Sequence, residues 1–450
     1  MGKTSNERKI EFNFQMNIKS DENPYLEWHP NIWPPFTQIK TSKPQIEVTH
    51  GKDSLIFTKN PERTLIDGIS SWWVTLHGHG NEYIAKAISK QARELEQIIF
   101  ADFLHPQAKL LSERLSRITN LERLFFSDNG SSAVEVALKI AYQWWQNNGE
   151  LRSQIIAFEG AYHGDTFGAM ALGERNIFNE SFEKLMFPVK RVPWPSTWIG
   201  DNEIETKEDR ALEKLIDLLK VPTAAVIMEP IMQGAGGMNM VRPEFISKVS
   251  ELIKANNSLL IADEVLTGFG RCGSLFAFQK ATVEPDLIAI SKGLTGGFLP
   301  MGITLAKERI FQSFISESPK KTFWHGHSFT ANPLGCAAAN ASLDLLENNP
   351  SKYSHFELKH YSLIKKLKNL SIVKKIRICG TIVAFELEVE NNSGYLNSIG
   401  KTIKKLALEK GLFIRPLGNT IYLLPPLSIT DYQLEKSYDI IRDIIISIKN

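Results

Sequence analysis

The ε-amine of a lysine attacks a carbonyl carbon only after losing its proton, and desolvation in an apolar pocket is one way to reach that state near neutral pH. Lys292 closes the apolar run DLIAISKG (286–293) and is followed by glycines in AISKGLTGG (289–297), so its amine is delivered from a strand end into a cleft. Most lysines are solvated surface groups; the apolar approach argues against that fate here. A carboxylate comes from IADEVLTGFGRCG (261–273), where Asp263 ends a second apolar run. In SDNGSSAVEVALK (127–139) a glycine-serine turn follows a strand and opens a helix at Gly130 and Ser131. Free backbone N–H groups and the positive helix end then converge on a spot that suits a phosphate, although the same turn read alone is an ordinary N-cap. GAYHGDTFGAM (160–170) sets Tyr162, a histidine and Asp165 on a glycine-flanked turn, which alone could be a tight loop capped by Asp165. Together the four segments supply an amine, a carboxylate, a phosphate cradle and an aromatic plate, the inventory of a pyridoxal phosphate site. The carboxylate would keep the pyridine nitrogen protonated, and the lysine would move protons.

Two other patterns compete. Gly268-Phe-Gly270-Arg-Cys-Gly273 matches a dinucleotide fingerprint in letters, yet the strand ends at Asp263-Glu264 and Gly268 comes several residues later with no helix opening at Gly273. His77-Gly-His79 and His325-Gly-His327 raise metal binding, but neither pair brings a carboxylate or cysteine at ligand spacing, and no metal is assigned.

The elements that must position these residues follow from periodicity. Residues 83–99 repeat apolar positions every three or four residues and read as an amphipathic helix. Runs at 124–127, 153–160, 224–230, 258–264 and 286–293 read as buried strands, with a helical stretch at 131–147 between the first two. Buried strands alternating with helices give a mainly parallel sheet covered on both faces, which binds ligands at the carboxyl ends of its strands. From about 340 a long helix, strands at 376–389 and 412–424 and a final helix form a smaller α+β unit, whereas residues 1 to about 45 read as irregular. The 450 residues are enough for two domains. A net charge of +2 gives no concentrated basic face for nucleic acid. No apolar run is long enough for a membrane helix, no secretory h-region is present, and three widely spaced cysteines fit a reducing cytoplasm.

In this order the segments resemble the class III pyridoxal-phosphate aminotransferases of fold type I, over about residues 28 to 435. The sharpest matches are DGISSWWVTLHGHG (67–80), GAYHGDTFGAM, EPIMQGAGGM (229–238), IADEVLTGFGRCG, FWHGHSFTANPLGCAAANASL (323–343) and IRPLGNTIYLLPPL (414–427). The resemblance implies an α/β fold with a large cofactor-binding domain at 69–340 and a small domain built from 1–68 and 341–450. It implies that Lys292 joins the cofactor covalently, Asp263 pairs with the ring nitrogen, Gly130 and Ser131 hold the phosphate, and Tyr162 covers the ring and borders the substrate. Phe36, Trp72 and Trp73 line the substrate channel, Arg415 clamps a substrate carboxylate, and Arg271 and Asp165 lie toward the amino donor. Gly326, His327 and Ser328 reach the neighbouring site of a homodimer, with Ser328 on the cofactor phosphate. The double tryptophan and the RPxGxxIYLxPP segment further imply transfer from S-adenosylmethionine to 8-amino-7-oxononanoate, giving 7,8-diaminononanoate in biotin biosynthesis. The alternatives are lysine as donor to that acceptor, or another ω-amino-acid or diamine aminotransferase of the class. Two positions depart from the family pattern. Phe36 stands where tyrosine is usual, removing a hydroxyl, and His327-Ser328 replaces Pro-Thr.

Overall fold

A computed structural model describes residues 28–388 and 399–449; part of the irregular segment expected at the start of the chain, 1–27, lies outside them. Its centre is a seven-stranded sheet in the order Arg123–Ser127, Gly302–Ala306, Leu287–Ile290, Leu259–Asp263, Thr223–Met228, Gln154–Phe158, Lys190–Val192. Only Gly302–Ala306 runs against its neighbours. The middle strands are buried throughout, as their unbroken apolar runs require.

The two-residue period of a strand divides these side chains between two cores. Ile156, Phe158, Val226, Met228, Leu260, Ala262, Ile288 and Ile290 pack with the apolar faces of helices Pro106–Thr119, Ile204–Leu219 and Pro243–Ala255. The alternate residues, Ile155, Ala157, Ala225, Ile227, Leu259, Ile261, Leu287 and Ala289, pack beneath helix Gly130–Asn147. Strand-end groups are thereby held from both sides.

Two smaller sheets lie at the chain ends. Glu47–Lys52, Leu55–Lys59 and Arg63–Asp67 form an antiparallel meander to which Leu412–Phe413 adds in parallel, so the first strands of the chain join one of the last. Val373–Cys379, Ile382–Leu387 and Thr420–Leu423 form an antiparallel sheet, with helices Ile399–Glu409 and Asp431–Lys449 nearby in sequence. No described helix is long and apolar enough to cross a membrane.

The structure shifts three boundaries. The helix expected over 83–99 spans Glu82–Glu94, because Leu95 turns extended and the Gln91 amide donates to its carbonyl. The run at 376–389 breaks at Gly380, whose φ of +55 makes the turn of a hairpin; residue 389 is outside the described residues. The run at 412–424 is two short strands in different sheets, which leaves Arg415 on the connection between them.

Candidate active site

Five strand ends and one tight turn surround a cavity of about 410 Å³. Its floor carries Lys292 and Asp263 from adjacent parallel strands. Lys292 lies in a short 3-10 turn after Ser291, whose hydroxyl donates to the Met301 carbonyl and fixes the strand exit. Its Nζ is 5.4 Å from the centre of the Trp73 ring and has no hydrogen-bond or ion-pair partner among the described residues. Burial lowers the Lys292 pKa from the ordinary lysine value, partly offset by Asp263, Glu229 and Asp165. A desolvated, unpaired amine is a costly thing to keep in a protein interior, and it is the form that acts as a nucleophile or base.

Asp263 is almost fully buried. One oxygen accepts from the Val265 N–H at 3.0 Å, and the other meets His163 Nδ1 at 2.6 Å. His163 therefore donates through Nδ1, and its Nε2 is buried with no partner. Sequence reasoning passed over His163 as one letter of a turn; its neighbour Tyr162 carried the attention. Glu229 was also missed. It follows strand Thr223–Met228, accepts from the Tyr162 and Gly234 N–H groups at 3.2 and 2.9 Å, and burial raises its pKa to about 7. The signal for it was present, since a glutamate directly after six buried residues must be bonded to something.

The phosphate cradle forms at the start of helix Gly130–Asn147. Asn129 caps it through its side chain to Ser132 N and its carbonyl to Ala133 N. The Gly130 and Ser131 N–H groups donate to no acceptor among the described residues. Ser131 Oγ accepts from Asp165 N at 3.2 Å, which ties the Tyr162 turn to the cradle. That turn requires Gly164, with φ of +130 and space so tight that a Cβ would lie 2.1 Å from Ser131 Oγ. Tyr162 presents about a third of its surface, and burial, followed by Asp165, raises its pKa.

The aromatic mouth depends on a strained turn. Ser70, Ser71 and Trp73 all have positive φ, a conformation that costs about 1–3 kcal/mol per residue and persists only when surroundings enforce it. Asp67 enforces it, accepting from the Ile69 and Ser71 N–H groups at 3.1 and 2.6 Å and meeting His79 Nε2 at 2.8 Å. Ser70 Oγ donates to the Leu424 carbonyl, and Trp73 Nε1 donates to the Tyr422 hydroxyl. Trp73 is consequently buried against the cavity while Trp72 is 41% exposed. Phe36 meets Trp72 edge-on with ring centres 5.5 Å apart, and meets Phe178 edge-on at 6.1 Å. Phe178 had no sequence signal, because its segment has no regular period. The Arg415 guanidinium lies over the Trp72 ring at 4.9 Å, with no anionic partner among the described residues.

Lys292, Asp263, Tyr162, Gly130, Ser131 and Trp73 thus share one cavity, with Asp165 tied to its edge. Phe36, Trp72 and Arg415 form a second group. Arg271 stands apart from both. It is fully buried, donates to the Pro425 and Trp73 carbonyls, and burial lowers its pKa to about 9. It braces the tryptophan turn from beneath. Gly326, His327 and Ser328 lie on an exposed or half-buried loop, with the Ser328 carbonyl bonded by Gln97 Nε2 and His327 facing Asp128. His77 and His79 are engaged by Ser342 and Asp67 respectively, and no group of three His, Cys, Asp or Glu among the described residues could hold a metal ion.

The residues fit a phosphate-bearing pyridine aldehyde on three counts: N–H groups at a helix start and an amine that are not hydrogen-bonded among the described residues, and a carboxylate braced by a histidine.

Comparison with known proteins agrees with that geometry. Residues 37–445 match the aminotransferase class-III family model. The chain is 50% identical over 420 residues to the adenosylmethionine-8-amino-7-oxononanoate aminotransferase of Synechococcus elongatus, covering 93% of this chain and 99% of that one. It is 34% identical to the enzyme of the same name from Helicobacter pylori, covering 94% and 97%. Among solved structures, the like-named enzyme of Methanocaldococcus jannaschii superposes with a TM-score of 0.85 at 32% identity, covering 93% and 97%. A PLP-bound amine transaminase from an uncultivated Pseudomonas species reaches 0.86 at 27% identity, covering 93% and 99%.

Proposed function

The chain belongs to the class-III aminotransferases, and we propose that it moves an amino group from S-adenosylmethionine to 8-amino-7-oxononanoate, giving 7,8-diaminononanoate in biotin biosynthesis. The observation that carries this reading is the Arg415 guanidinium, with no anionic partner among the described residues, over the ring of Trp72, whose neighbour Trp73 lines the cavity floored by Lys292 and Asp263. A planar two-pronged donor on an apolar wall suits a carboxylate at the end of an aliphatic chain. The likeness to enzymes named for that acceptor supports the same conclusion.

Pyridoxal 5'-phosphate, when bound, supplies an electron sink that stores the amino group between donor and acceptor. Lys292 would hold it through Nζ, the Gly130 and Ser131 N–H groups would hold its phosphate, and Asp263 would face its ring nitrogen. Lys292 Nζ would accept and return the proton that must move at the substrate carbon, and burial, which lowers its pKa, favours the uncharged amine that can accept it. His163 Nδ1–H fixes the Asp263 carboxylate in position and stabilises its negative charge. Tyr162, held by Glu229 through its own N–H, covers the cavity and excludes water. Trp73 and Trp72 divide the work, the first walling the cavity and the second backing Arg415.

The same reading makes the protein a cytoplasmic homodimer whose 326–328 loops serve the opposite site. Exposed Trp324, Phe329 and Leu104, at 79%, 62% and 66%, support a covered face there, and Gln97 joins the two loops concerned. It also divides the chain into a large domain, 69–340, and a small one, 1–68 with 341–450; pairing of Arg63–Asp67 with Leu412–Phe413 supports that grouping.

A donor panel tests the proposal. With 8-amino-7-oxononanoate as acceptor, S-adenosylmethionine should give 7,8-diaminononanoate, and lysine and ω-amino acids should give little. Product from lysine alone would keep the acceptor and replace the donor, a change for which Phe36, lacking a hydroxyl at the mouth, is the first residue to test. Transfer to keto acids with none to the oxononanoate would reject the reading.

A further inference from the structure

Asp128 poses an electrostatic problem. It immediately precedes Asn129-Gly130-Ser131, where the open N–H groups of the helix start await an anion, and one of its oxygens is buried with no hydrogen-bond partner among the described residues. An uncompensated carboxylate there competes with any phosphate for the positive helix end. Its other oxygen lies 3.4 Å from His327 Nδ1. His327 Nε2 is in turn 3.2 Å from His325 Nε2, and His325 Nδ1 is 3.3 Å from Lys139 Nζ. Lys139 belongs to the same helix that Asp128 precedes, so the two histidines span from the helix flank to its start.

Only one arrangement of protons satisfies this series. The Lys139 ammonium can only donate, so His325 Nδ1 accepts, and a neutral imidazole must then carry its hydrogen on Nε2. His327 Nε2 accepts that hydrogen, which leaves His327 Nδ1–H facing the Asp128 carboxylate. Each contact is then polarised in the same direction, from ammonium to carboxylate. We propose that His327 is a positioning residue for the phosphate cradle, linking Lys139 and His325 to Asp128 so that Asp128 is held and its charge offset beside Gly130 and Ser131. This rests on the cofactor reading above. It assigns His327 a task within its own chain and gives a reason for a histidine where the family carries proline.

A second proton on His327 would set two donors face to face at 3.2 Å, and one on His325 would set its Nδ1–H against the Lys139 ammonium at 3.3 Å; either breaks the link. The groups facing the pair are Lys139 and Glu135 on the helix, and Asp128 at its start. Burial, then Lys139 and His327, lower the His325 pKa, which keeps that ring neutral at pH 7 and above.

The test is the dissociation constant for pyridoxal 5'-phosphate, measured by fluorescence titration of full-length apoenzyme for wild type, His327→Phe, His325→Phe and the double variant. Each single variant should weaken binding about fivefold to tenfold at pH 8. The double variant should be no worse than either single one, since both cut the same series. As the pH is lowered far enough to add a proton to the pair, the ratio of variant to wild type should fall toward one. Additive losses, unchanged affinity, or a ratio that grows on acidification (the mark of an imidazolium acting directly on the phosphate) would each overturn the proposal. Apoenzyme melting temperatures of the variants within about 2 °C of wild type show that the loop change has not unfolded the domain; for a variant that melts lower, the pH dependence of the ratio decides. Wild type that binds no pyridoxal phosphate would reject the cofactor reading instead.

Discussion

The chemistry of single side chains here is set by what they lack. Lys292 and Arg415 are both cations without a hydrogen-bonded or ion-paired anion among the described residues, one in the cavity and one over the Trp72 ring. The sequence pointed to Lys292 through the apolar run before it, and to Arg415 only through family resemblance, because an arginine beside a proline carries no signal of its own. His163 and Glu229 escaped because their importance is relational: one matters through a 2.6 Å contact with Asp263, the other through two backbone N–H groups distant in sequence. Arg415 gives the clearest test. Removing a charged two-pronged donor from a carboxylate costs about 1.5–3 kcal/mol, or roughly tenfold to a hundredfold in affinity. Arg415→Ala should therefore raise KM for the oxononanoate by that factor, with kcat changed much less, and Arg415→Lys should recover part of the loss. Steady-state kinetics at saturating donor decide it. A fall in kcat at unchanged KM would move Arg415 from binding the carboxylate to some other task.

Elements were legible where period and burial agree. The buried runs ending at Ser127, Phe158, Met228, Asp263 and Ile290 became neighbouring or near-neighbouring strands of one sheet, and the glycine-serine turn after the first became a capped helix start. The tryptophan turn was not legible as a shape. Its residues are ordinary serines and aromatics, and three positive φ values in four residues follow from Asp67, His79, Leu424 and Tyr422, partners up to about 350 residues away. The run at 412–424 failed similarly, since the choice of two different sheets is made by tertiary pairing that no local pattern records. Since Asp67 enforces the turn, Asp67→Ala should release it and leave Arg271 buried without its main counter-charge. A loss of about 3–5 kcal/mol is expected from uncovering a buried charge. Chemical denaturation should show it, together with a larger exposed fraction of Trp73 in fluorescence quenching and a lower kcat. A variant as stable as wild type would mean that Ser70 and Tyr422 suffice to hold the turn.

At the scale of the whole molecule, a core this large buries titratable groups of both signs, and their effects on stability oppose each other. Burial raises Glu229 and Glu264 to about 7 and lowers His77 to about 3 and His360 to about 4. A carboxyl raised above its unfolded value contributes stability that is fully present below that value and is lost as pH rises through its folded pKa. A histidine lowered below its unfolded value does the reverse, destabilising the fold as the medium becomes acidic. Between the ordinary glutamate pKa and the ordinary histidine pKa, two groups of each kind pull in opposite directions, so these four should leave stability nearly level across that interval. Glu264 can be separated from the rest. Its carboxyl accepts from Thr267 Oγ1 at 2.6 Å and the Phe278 N–H at 2.8 Å, and it lies outside the lining of the catalytic cavity, so cofactor binding should not obscure its titration. Glu264→Gln keeps an acceptor but removes the proton that Glu264 must release. The melting temperature of the variant minus that of wild type should therefore increase from pH 5 to pH 7, by roughly a few degrees, and level off above. Calorimetry at four or five pH values is enough, and a difference that stays constant or shrinks over that range would show that Glu264 ionises normally in the folded protein.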